Sequence, residues 1–191
     1  NTALFRSLDF DGNTVWTGWW GHNYTQFKNY YEMFAGTALN PETVNNRRTR
    51  GGPLTLNPPG WEVFGGMNTD NRKAWVFALF GFTYQTASGD NAQVETEVTW
   101  KPASNVSLSL SPSVSWNTEV AQWIGAYDDP TATATFGRRY VFAQLDQVTL
   151  SSSVRLNWTF TPELSFQLYA QPLISAGDYT AFKELARPKS F

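Results

Sequence analysis

From Thr149 to Gln171 the chain alternates between apolar and polar positions. Leu150, Val154, Leu156, Trp158 and Phe160 share one parity, and Ser151, Ser153, Arg155, Asn157 and Thr159 share the other. Successive side chains of an extended backbone point to opposite faces, so this period of two predicts a β-strand. After Thr161-Pro162-Glu163 the alternation resumes, with Leu164, Phe166, Leu168 and Ala170 against Ser165, Gln167, Tyr169 and Gln171. The segment reads as a β-hairpin with one apolar and one wet face. Val106 to Trp116 repeats the pattern more sharply, with apolar residues opposing serines at 107, 109, 111, 113 and 115. A serine ladder offers little to a dry core and suits a hydrated interior.

Along the rest of the chain the same reading predicts strands at Leu4–Phe10, Leu54–Met67, Ala74–Thr86 and Arg138–Leu145, and one extended stretch over Thr14–Phe34. Turns are expected at 11–13, 68–71, 88–91, 102–105 and 161–163, where Asp, Asn, Gly, Pro and Ser concentrate. Long loops are expected over Gly36–Gly60 and Asn117–Thr135. Ala74–Thr86 is apolar on both parities, which predicts cover on both faces.

Composition decides how the apolar faces are read. Only 16% of residues are charged, below the roughly 25% of ordinary globular domains, while 16% are aromatic, nine of them Trp. Small neutral polar residues on one face and an aromatic-rimmed apolar face on the other predict an antiparallel transmembrane β-barrel. About eight strands are legible, as one domain over 1–191 or part of a larger barrel. Trp75, Trp100, Trp116 and Trp158 fall near strand ends, as lipid-interface aromatics do. Val106–Trp116 extends roughly 33 Å, and at a tilt near 45° it covers about 23 Å, close to the apolar band of such barrels. A soluble β-sandwich that binds carbohydrate through its aromatics is the alternative.

The formal net charge of −2 argues against a nucleic-acid partner. With no Cys and one His, His22, neither a thiolate metal site nor a usual triad can form, and no catalytic residue or cofactor is expected. Asp9/Asp11 and Asp128/Asp129 are carboxylate pairs without EF-hand spacing, read as solvated turns. Glu95 and Glu97 share a strand face and read as interior polarity. Arg47, Arg48 and Arg50 sit together in the first long loop. They could clamp a carboxylate, a phosphate or a sugar acid, or they could pair with interior acids or face solvent.

Several stretches carry a family resemblance: Arg50-Gly51-Gly52-Pro53, Asp70-Asn71-Arg72-Lys73, Arg139 through Gln147, and above all Phe160 through Pro172. They resemble the bacterial domain-of-unknown-function family numbered 5916, over about positions 14–185. The resemblance implies a C-terminal barrel in the bacterial outer membrane, found in proteins with an N-terminal module similar to family-nine carbohydrate-binding domains. It implies contact with lipid, a link to glycan binding or uptake as a channel or anchor, no enzymatic chemistry, and further strands or another outer-membrane protein at the barrel's open edge. That carbohydrate-binding module is absent from this chain, and Pro188 and Lys189 interrupt the alternation of a closing strand, so a fragment of a larger barrel is expected.

Overall fold

The computed structural model describes Asn1–Phe191. The fold is all-β: an antiparallel sheet built from β1 (Thr2–Leu8), β2 (Thr14–Gln26), β3 (Glu32–Asn40), β6 (Gly60–Asn68), β7 (Trp75–Thr86), β8 (Gly89–Ala103), β9 (Val106–Asp128), β10 (Arg138–Thr161), β11 (Leu164–Ala170) and β12 (Leu173–Glu184). β4 (Thr43–Asn45) and β5 (Thr55–Asn57) form a separate two-stranded ribbon. Neighbours in the sheet follow chain order as a meander. β11 and β12 pair with successive lengths of β10, so they are one edge strand broken at Gln171-Pro172. Proline lacks the N–H that a ladder needs, which accounts for the break. The sheet is not closed: β1 and the β11–β12 strand each have a free edge.

Register carries the alternation of the sequence across the strands. One face, termed outer here, holds Leu108, Leu110, Val114 and Trp116 of β9 beside Leu156, Val154, Leu150 and Val148 of β10. Phe77 and Trp75 of β7 continue it beside Val98 and Trp100 of β8. Eight of these twelve side chains stay exposed, Leu110 at 47% and Leu150 at 54%, and Val98, Val114, Val154 and Leu156 are half-buried. The opposite, inner face carries the serine ladder.

Three observations describe the shape. The turns at one end, between β2 and β3, β6 and β7, β8 and β9, and β10 and β11, are all short. Their first and last closing pairs, Gln26/Glu32 and Thr161/Leu164, lie six strand spacings apart, and the register shifts by eight residues between them. Turns at one level then require a strand tilt of about 40°, the range of β-barrels. Finally, the segment between β3 and β6 touches distant strands: Asn46 bonds Asp9 in the β1–β2 turn, and Gly52 lies against the Tyr140 ring of β10. A flat sheet would separate those places by about 30 Å. Six residues span at most about 20 Å, and here they are bent, with the Arg50 N–H bonded to the Arg47 carbonyl. The sheet is therefore curled around its inner face.

Several sequence-based boundaries need correction. Thr14–Phe34 is two strands, not one, because the chain reverses at Phe27–Tyr31 with Tyr30 at φ +65° and the Phe27 and Tyr31 backbones bonded across the turn. The first loop begins only after Asn40 and holds the β4–β5 ribbon, while the strand expected at Leu54–Met67 divides at Pro58-Pro59. Asn117–Thr135 is mostly strand: β9 runs to Asp128, and only 129–137 is loop, including a 3-10 turn at Thr133–Thr135. The turn at 11–13 lies at the end that carries the long loops.

Candidate functional site

β9 and β10 extend well past the rest of the sheet. The β8–β9 ladder ends at Gly89/Glu119, while β9 and β10 stay paired to Asp128/Arg138. On this projection Trp123 meets Phe142 edge-on, ring centroids 5.8 Å apart, and Tyr140 at 6.2 Å. The loop between β3 and β6 folds onto these rings. Gly52 is required there, since a Cβ would lie within 2.2 Å of Tyr140. Thr49 is buried and donates to the Pro53 carbonyl at 2.8 Å. The last residues join in, with the Lys189 N–H on the Leu54 carbonyl and the Leu56 N–H on the Ser190 carbonyl. Most of the fully buried residues collect in this cap: Thr43, Thr49, Thr55, Thr135, Tyr140, Phe142 and Ala143.

The three loop arginines go to three different surroundings. Arg48 is structural: its guanidinium donates to the Leu56 carbonyl, to Thr55 Oγ1 at 3.4 Å and to Asn57 Oδ1 at 3.3 Å, and lies 5.2 Å from the Phe191 ring centroid. Burial pulls its pKa below the ordinary guanidinium value, with Glu119 opposing. Arg50, at φ +51°, covers the Trp123 ring at 5.6 Å. Arg47 lines a cavity of about 550 Å³ between the β1–β2 turn and the loop. Phe10 and Trp16 line its apolar side, and Asp9, Asn45, Asn46 and Asn57 its polar side. No three-arginine clamp is formed.

The carboxylates expected in turns are engaged locally. Asp9 accepts from the Asn13 backbone at 2.8 Å and from the Asn13 side chain. Asp128 pairs with Arg138 at 2.9 Å. Asp129 accepts from Thr131 and Arg139, which hold its carboxyl at about 2, and Arg139 also reaches Glu184 on β12 at 3.2 Å. At the short-turn end Asp70 takes a two-point contact from Arg72, both distances 2.8 Å, and sits at about 2 for that reason. Arg72 in turn lies 3.3 Å from the Tyr30 ring centroid, which ties two neighbouring turns together.

On the inner face Glu97 accepts from Thr99 and Ser111, each at 3.0 Å, and Thr99 and Ser109 share a 2.7 Å bond. Glu95 is on the same face, opposite Phe80. His22 stacks on Trp20, centroids 5.0 Å apart, and meets Asn1 at 3.3 Å. No group of three His or acidic side chains is close enough to hold a metal ion.

The outer-face tryptophans separate into two levels. Trp75 and Trp100 stack at 5.7 Å near the short turns, where Trp158 packs on Phe160 at 4.5 Å. Trp116 lies toward the opposite end, as do Trp19 and Trp61, joined through Leu39. Just beyond Trp116 the outer face turns acidic, with Asp90, Thr118, Asp146 and Asp178 paired in one row.

No protein-family model, curated protein or solved structure matches this chain.

Sequence reasoning missed the cap core and the Phe10–Trp16 side of the cavity. The Tyr140–Ala143 run and Trp123 were the available signals, but their partners are about ninety residues away in the chain.

Proposed function

We propose that this chain is wall and mouth of a bacterial outer-membrane β-barrel with no enzymatic activity, a channel or anchor linked to glycan binding or uptake. One observation carries the reading: a continuous outer face of exposed Leu, Val, Phe and Trp, bounded by two tryptophan levels, over an inner face that carries hydroxyls and amides along β8–β10. In water that face would leave an apolar patch far larger than the few hundred Å² usual for a monomer. In a bilayer it is the surface that lipid requires, and Trp at both levels suits the interfaces. A β-sandwich would cover such a face with a second sheet, and no strand of the chain packs on it. The resemblance to the family numbered 5916 agrees with the barrel reading. The free edges of β1 and β11–β12 take further strands, from a longer chain or from another outer-membrane protein, because unpaired backbone in lipid costs several kcal/mol per group.

Arg47, Phe10 and Trp16 give the mouth a cavity suited to a sugar: a flat apolar wall beside planar hydrogen-bonding groups. Fractionation of the producing bacterium, detergent extraction and a heat-modifiability gel test the barrel. Recovery with the outer membrane and a boiling-dependent shift are expected. Recovery without detergent would leave the soluble carbohydrate-binding reading in place.

A further inference from the structure

Three rows run across the inner face, and each changes chemistry at the same place. The first runs Tyr24, Phe34, Gly66, Phe80, then Glu95 and Ser113. The second runs His22, Gly36, Phe64, Phe82, then Gln93 and Ser115. The third runs Trp20, Ala38, Glu62, Tyr84, then Asn91 and Asn117. From β2 to β7 the wall is largely rings and glycines; from β8 to β10 it is mostly hydroxyls and amides.

The glycines set the attitude of the rings. A Cβ on Gly36 would lie 2.3 Å from Phe64 Cζ, and one on Gly66 would lie 2.6 Å from Phe34 Cζ. The tip of each ring therefore fills the space that a side chain would take on the glycine directly opposite it in the ladder. Phe34 and Phe80 continue the surface, nearly parallel at 26° with centroids 6.2 Å apart. Phe34, Phe64 and Phe80 are half-buried. Because the sheet is curled, the ring wall looks across the interior toward the hydroxyl wall.

We infer that this interior binds an oligosaccharide, with sugar rings stacked on the Phe34–Phe64–Phe80 surface and their hydroxyl edges bonded to the serine and amide wall. A pyranose has an apolar C–H face and a rim of hydroxyls, and the two walls supply a partner for each. An acyl chain would leave the hydroxyl wall without partners, and an ion would be desolvated against the rings. This inference rests on the barrel reading for its setting, but its contacts do not depend on lipid.

The test is calorimetric titration of the purified full chain in detergent with maltohexaose and with cellohexaose, using polyethylene glycol of similar mass as the ringless control. Phe64→Leu and Phe80→Leu keep apolar bulk and lose the π face; Phe77→Leu makes the same change on the outer face. Binding of at least one hexasaccharide is expected, weakened about threefold to tenfold by the two inner changes and untouched by the outer one. Heat modifiability or circular dichroism verifies folding of each variant. No hexasaccharide binding by the folded wild type, equal binding of polyethylene glycol, or equal affinities in the inner variants and wild type would overturn the inference. A protein found outside the membrane that still binds through Phe64 and Phe80 would refute the barrel and keep the sugar site.

Discussion

The cap and the wall bury apolar surface in different ways. In the cap, Tyr140, Phe142 and Ala143 are 5%, 3% and 0% exposed, and the loop, the β9–β10 projection and the last residues supply each other's cover. In the wall, Leu150, Phe77 and Trp116 remain 54%, 49% and 46% exposed although they sit in regular, fully paired strands. A protein that can build a dry core at one end has not done so along its sheet. On the proposed reading the wall's cover comes from outside the chain, and lipid is the cover that fits two tryptophan levels and an acidic row just beyond one of them.

The largest expected effect breaks the cap alone. Phe142→Ala removes a buried ring and should cost about 3–5 kcal/mol of cap stability. Protease cleavage near Arg47–Arg50 should rise and Trp123 fluorescence shift, while the strand signal in circular dichroism persists. Next, Leu110→Arg separates the two kinds of cover. In a bilayer it should cost about 2–4 kcal/mol in urea titrations of vesicle-inserted protein, whereas a substitution on a water-facing surface stays within about 0.5 kcal/mol. Smaller again, Gly36→Ala pushes the Phe64 ring off the wall and should cost about 1–3 kcal/mol. Adding Phe64→Ala should recover part of that loss, and a strictly additive double variant would contradict the ring-on-glycine contact.

The smallest effect is the pH dependence that Asp129 gives the cap. Asp129 is held at about 2 by Thr131 and Arg139, below its value of about 4 in an unfolded chain. A depressed carboxyl contributes stability that is present above pH 4 and is lost as pH falls from about 4 toward 2. Acid should therefore loosen the β9–β10 tip over that range, monitored by Trp123 fluorescence. Arg139→Ala should move that transition to higher pH and leave the wall unchanged.

The parts legible in the sequence were those where one face meets water and the other does not. Val106–Trp116 and Thr149–Gln171 alternate for that reason, and the structure pairs Val106–Trp116 with Val148–Trp158 as adjacent strands. Asn117–Asp128 lost the signal because the β9–β10 ladder slips twice there, between Val141 and Phe142 and between Ala143 and Leu145, so period two no longer marks one face. The β2–β3 reversal was hidden because aromatic Tyr30 and Tyr31 occupy a turn, Tyr30 being held there by Arg72 of another turn. The arginine loop was found, yet the separate fates of Arg47, Arg48 and Arg50 depend on Asn57, Phe191, Trp123 and Trp16, which no local pattern connects.

The absence of native cysteine permits a direct test of what covers the wall. Leu150→Cys and Thr149→Cys place single thiols on adjacent residues, one on the outer and one on the inner face. In lipid vesicles, a membrane-impermeant maleimide should label position 149 and leave position 150 near background. Labelling of position 150 as fast as position 149, in protein shown to be inserted and folded, would contradict a lipid-facing outer wall.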